Sequence, residues 1–157
     1  MQGDRYDWMM VQIDEIGAAV RKLTAALLDK QTEELTVLDA QTDDLLEDAF
    51  EHSRLAMVDS RTAAVILRPP ARIRAYAQLL AAKARLLHER GELGPGRALA
   101  QRALELQLEA AALEPNRDLV DHDGIDTLLD LDPPLRLSPR YHDLYRELLA
   151  GVDHDTD

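Results

Sequence analysis

Residues 86–106 read LLHERGELGPGRALAQRALEL. A run of helix formers pauses at Gly91, Gly94, Pro95 and Gly96, then resumes the same apolar rhythm. Gly91 stands where a helix C-terminus takes a left-handed residue. Pro95 falls in a first-turn position, where its missing N–H leaves no bond unmade. The stretch therefore predicts a tight helix–turn–helix. Ala84, Gly96, Ala100 and Ala103 are small enough for the two backbones to approach closely.

The same spacing rules extend outward. Upstream, "RPP" closes one helix, because a residue before proline avoids the helical region. Pro70 then opens the first helix of the hairpin, whose predicted buried face is Ile73, Ala77, Leu80, Ala84 and Leu87. Downstream, Leu99, Ala103, Leu106, Ala110 and Leu113 carry the second helix to Pro115. Toward the N-terminus, Tyr6, Met9, Ile13, Ile16, Val20, Leu23 and Leu27 step by three or four residues along a helix from about Arg5 to Leu28. A second helix begins near Thr32, an expected N-cap, with Glu33 and Glu34 in its first turn. Its stripe is Leu35, Leu38, Leu45 and Ala49, with polar Thr42 inside it. Asp59 and Ser60 can cap a short helix, Arg61 to Leu67. In the tail, Asp123 is the expected cap of a turn through Leu129. A helix from Ser138 and Pro139 to a stop at Gly151 follows the connector "DPPLRLSP". The pattern predicts an all-α bundle or helix-turn-helix array of about five main helices plus short ones. It forms one domain, 1–151, ahead of a frayed acidic tail, 152–157.

Composition agrees. Leucine fills 28 of 157 positions, and only six residues are aromatic. The chain holds no cysteine, which excludes disulfides, thiolate metal sites and cysteine nucleophiles. No run approaches the ~18 apolar residues of a membrane span. The opening "MQGDRYDWMM" places acids where a secretory signal would be basic. A cytoplasmic protein is expected. Net charge is −12, which disfavours nucleic acid and anionic membrane as partners. The charge is uneven: net −8 over residues 1–67, +6 over 68–102 and −10 over 103–157. A basic hairpin lies between acidic flanks.

The hairpin LLAAKARLLHERGELGPGRALAQRALEL, Leu79 to Leu106, resembles one tetratricopeptide repeat, extending over about residues 77–108. Leu80, Ala84, Leu87, Gly91, Leu93, Gly96 and Ala103 stand at that family's spacings. Lys83 replaces a usual leucine, Ala100 a usual aromatic, and Leu108 the usual proline. The order of segments over most of the chain is also similar to an uncharacterised bacterial family of tetratricopeptide-like proteins, with no assigned activity. The resemblance implies a helical array whose hairpin's first helix lines a ligand groove. It places Gln78, Arg85 and His88 there, with Arg74 just before the matched segment.

Helical geometry independently gathers Arg74, Gln78, Arg85, His88 and Glu89 on one face of that helix. Arg85 could grip a carboxylate or phosphate through two donors. The alternative is a solvated face whose arginines answer the acidic flanks. Other constellations point less far. "DHDGID", Asp121 to Asp126, would fit a calcium loop only with Leu119 as first ligand and Asp130 in place of the terminal glutamate. His122-Asp123 and His142-Asp143 are His-Asp pairs of the kind used by metal-dependent hydrolases, but both fall in or near turns. No Glu-x-x-His pair, glycine-rich phosphate loop or nucleophile elbow occurs. The expected function is a non-catalytic interaction module, without cofactor or metal, that binds an acidic peptide or protein. The alternatives are a self-assembling protein, with part of the first helix or of the hairpin's second helix at a homodimer contact, and the hydrolase built on the Asp/His tail.

Overall fold

A computed structural model describes the backbone of residues 2–29 and 32–155, and the side chains of 7–29 and 35–151. Tyr6, and the Thr32 cap with Glu33 and Glu34, lie outside the described side chains. All regular structure among the described residues is helical: α1 (Gln2–Asp29), α2 (Thr32–Phe50), α3 (His52–Leu55), α4 (Ser60–Leu67), α5 (Pro70–Glu89), α6 (Leu93–Leu113), a 3₁₀ turn (Arg117–Leu119), α7 (His122–Leu129) and α8 (Pro139–Asp155).

The turn at Gly91 forms as its sequence dictates. Gly91 has φ 80°. Its N–H donates to the His88 carbonyl at 3.0 Å, and the Glu92 N–H donates to the Leu87 carbonyl at 2.9 Å. These two bonds satisfy carbonyls that the end of α5 leaves free. Pro95 then sits in the first turn of α6. The helices close tightly because Gly96 has no side chain: a Cβ there would stand 3.1 Å from the Ala84 carbonyl oxygen.

The hairpin is the centre of the molecule. Ile73, Ala77, Leu80 and Ala84 are buried as predicted, but so are Ala75, Tyr76, Leu79, Ala82 and Leu86. Helix α5 is enclosed on nearly every side because α1, α2, α4 and α6 all pack against it. A single apolar stripe understates such a helix. Leu87, predicted inside, is only partly buried. The main core joins the hairpin to α2, α4, α7 and α8. A smaller cluster, Leu23, Ala26, Leu27, Leu38, Ala82 and Leu86, seats α1 and α2 on α5.

Caps correct two details of the tail. Asp59 caps α4 as expected, accepting from the Thr62 N–H at 2.8 Å. For α7 the cap is Asp121, not Asp123, because the Asp121 carboxylate reaches the Gly124 N–H at 3.0 Å. Gly151 does not stop the last helix, which runs to Asp155.

Candidate functional site

The +6 charge of residues 68–102 is largely answered within the fold. Arg74 pairs with Glu114 at the end of α6, 3.2 Å away, both side chains nearly buried. Lys83 pairs with Asp39 and lies 3.0 Å from Asp43, and Arg90 lies 2.9 Å from Asp39. Burial pulls the Lys83 ammonium down, but the two carboxylates outweigh it and hold its pKa above the ordinary value. Arg72 donates to the Ala49 carbonyl, Arg102 to the Leu55 carbonyl and Ser60, and Arg97 to the Pro134 carbonyl. Arg68 and Arg85 are the two cations of this segment without a hydrogen-bond or ion-pair partner among the described residues.

Arg85 is the one that faces a concavity. A cleft of about 720 Å³ opens between α1, α5, α6, α7 and the connector after α7. That size falls in the range of about 300–1,000 Å³ common for ligand sites. Helix α5 supplies Gln78, which is half-buried, and the exposed Arg85, His88 and Glu89. Four of the five residues singled out by helical geometry thus share this cleft. Arg74 does not line it, because its pairing with Glu114 holds it at the end of α6. Small residues of α5 and α6, including Ala81, Ala84, Gly96 and Ala100, make the room. Val20, Leu128, Leu131 and Pro133 give apolar walls.

Helix α1 contributes a residue that the sequence reading does not name. Arg21 lines the cleft with Gly17, Val20 and Thr24, a polar and small face beside the apolar stripe. Gly17, Arg21 and Thr24 recur at helical spacing, which is the signal that could have found them.

One carboxylate fixes the far wall. Asp121 accepts from Gln78 at 3.0 Å and from Gln107 at 2.9 Å, besides its bond to the Gly124 N–H. Gln107 is only 2% exposed. Asp121 thereby fastens α7 to both helices of the hairpin. Gly124 leaves the space for this carboxylate, since a Cβ there would lie 2.8 Å from Asp121 Cγ. Gly124→Ala is expected to evict the carboxylate and cost about 2 kcal/mol through lost charge-assisted hydrogen bonds. Urea denaturation would read this; an unchanged midpoint would show that the cradle contributes nothing to stability.

Among the described residues, no group of three or more His, Asp or Glu is placed to hold a metal ion. His142 lies 3.3 Å from Arg146, and His122 opens α7. No helix among the described residues is long and apolar enough to cross a membrane. No protein-family profile, curated protein or solved structure matches this chain.

Proposed function

We propose that the protein is a non-catalytic interaction module whose cleft takes an acidic, partly apolar segment of a partner polypeptide. The observation that carries this reading is the bare Arg85 in a walled concavity, within a segment whose other cations are mostly paired. Arg85 shares its cleft with the apolar Val20, Leu128 and Leu131, which lower the local dielectric, so an incoming carboxylate gains more there than in open water. Apolar side chains beside that carboxylate would find the walls of α1 and α7. The tetratricopeptide-like reading of the hairpin agrees, because in that family the first helix of a hairpin lines the groove.

The test is fluorescence polarisation with a labelled, terminally blocked glutamate–leucine peptide and its glutamine–leucine counterpart. The glutamate peptide is expected to bind the native chain. Arg85→Glu is expected to weaken binding by at least about tenfold, the equivalent of ~1.4 kcal/mol. Arg61→Glu, on the exposed start of α4 away from the cleft, is expected to change nothing. Equal binding of both peptides, or an indifferent Arg85→Glu, would refute the reading.

A second reading is self-assembly. Trp8 at 65% exposure, Val11 and Leu28 on α1, and Val37 on α2 are large apolar residues facing water. Light scattering distinguishes the two: a concentration-dependent mass that falls in Trp8→Glu favours assembly, and a constant monomer mass removes it.

A further inference from the structure

We propose that Arg21 and Arg85 act as one two-armed clamp on a single anionic oxygen group, the carboxylate of an acidic side chain in the occupant. The inference rests on the reading of the cleft as a site for an acidic polypeptide segment, and deepens it. Arg21 comes from α1 and Arg85 from α5, and both line the same cleft. Neither has a hydrogen-bond or ion-pair partner among the described residues. The third arginine of the cleft, Arg97, is already committed to the Pro134 carbonyl.

Scarcity of acids does not explain the two bare guanidiniums. The chain carries net charge −12, and elsewhere a single cation, Lys83, takes two carboxylates. Three acids line the cleft itself. Asp121 is engaged by Gln78, Gln107 and the Gly124 N–H. Glu89 and Asp132 are exposed and form no pair with either arginine. Gly17 adds a local reason for the placement of Arg21. A Cβ there would come within 3.3 Å of Arg21 Nη1, so its absence lets the guanidinium lie close along α1.

Two guanidiniums from two helices line one concavity, and an anion received by both would be held from two sides of the fold. Each planar guanidinium offers paired N–H donors matched to a carboxylate. An occupant held this way bridges α1 to the hairpin. The apolar Val20, Leu128 and Leu131 that line the same cleft favour an acid flanked by apolar groups over a free inorganic anion.

Calorimetric titration of the blocked glutamate–leucine peptide into the native chain, Arg21→Ala, Arg85→Ala and the double variant tests the clamp. Both arginines are exposed, so folding of the variants is checked by an unchanged thermal midpoint without peptide. Each single variant is expected to bind about tenfold more weakly. The double variant is expected to lose less than the product of the two single losses, because both arms serve one group. Native-like binding by Arg21→Ala, or losses that multiply, overturns the clamp while leaving the cleft reading intact. A parallel titration with inorganic phosphate at constant ionic strength separates the other failure. Phosphate binding lost in both single variants, with no peptide binding, keeps the clamp and overturns the polypeptide occupant. Response to neither probe overturns both.

Discussion

Tyr76→Ala is expected to cost about 4 kcal/mol of folding stability, the largest effect of any single truncation proposed for this chain. Tyr76 is fully buried on α5. Its ring meets Phe50 of α2 edge-on, with centroids 5.0 Å apart, and lies 5.8 Å from the His52 ring. Its hydroxyl is 2.6 Å from His52 Nδ1. Burial first of all pushes the Tyr76 pKa up to about 12, so the phenol keeps its proton. Burial likewise lowers the His52 pKa and favours the neutral imidazole, whose Nδ1, in the tautomer that carries the proton on Nε2, accepts from the phenol. Tyr76→Phe removes only this bond and is expected to cost about 1 kcal/mol. A ratio near unity between the two costs would mean the ring packs far less than its burial indicates.

The same pair predicts a pH dependence. A histidine whose folded pKa lies below its unfolded value of 6.5 contributes stability above pH 6.5 and loses it as pH falls toward the folded value. Between neutral pH and about pH 5, above the ordinary carboxylate range, the native chain should lose stability on acidification. His52→Gln should flatten that slope. Denaturant midpoints at several pH values decide it, and parallel slopes would remove His52 from the account.

Lys83→Met is expected to cost about 2 kcal/mol, by leaving Asp39 with a weaker counter-ion in a nearly buried position. The Lys83 and Asp39 side chains are 13% and 14% exposed. Arg90 remains on Asp39 and limits the loss, and Asp43, at 56% exposed, adds little. The informative variant is the double one, Lys83→Met with Asp39→Leu. It removes the charge left behind and is expected to recover at least half the stability lost by the single. A double variant as weak as the single would mean that the ion pair is not the source of the cost. The partners of Lys83 come from α2, outside the hairpin, so no reading of the hairpin alone accounts for a lysine there.

Such long-range pairing marks the limit of what local sequence reveals. The Gly91 turn, the first-turn prolines and the Asp59 cap depend on residues a few positions apart, and all are legible. Arg74 and Arg85 look alike on a helical wheel. They part company because Glu114, 40 residues away from Arg74, reaches only one of them. Arg21 was hidden behind the apolar stripe of its own helix. Local sequence points to Asp123 as the cap of α7, whereas Gln78 and Gln107, distant in sequence, help to hold Asp121 in that position. The all-round burial of α5 follows from how many helices surround it, which no periodicity within α5 encodes.

The turn at Gly91 also sets an order of events in time. Helices α5 and α6 zip outward from the turn, beginning near Gly96 against Ala84, twelve residues apart. Closing that first loop loses less chain entropy than the contacts of α2 and α8, such as Phe50 with Tyr76, 26 residues apart, and Glu109 with Arg140, 31 apart. The hairpin is therefore the natural nucleus, with α1 and α2 docking afterwards. Destabilising substitutions at its interface should slow refolding, while those at the Lys83–Asp39 contact should mainly hasten unfolding.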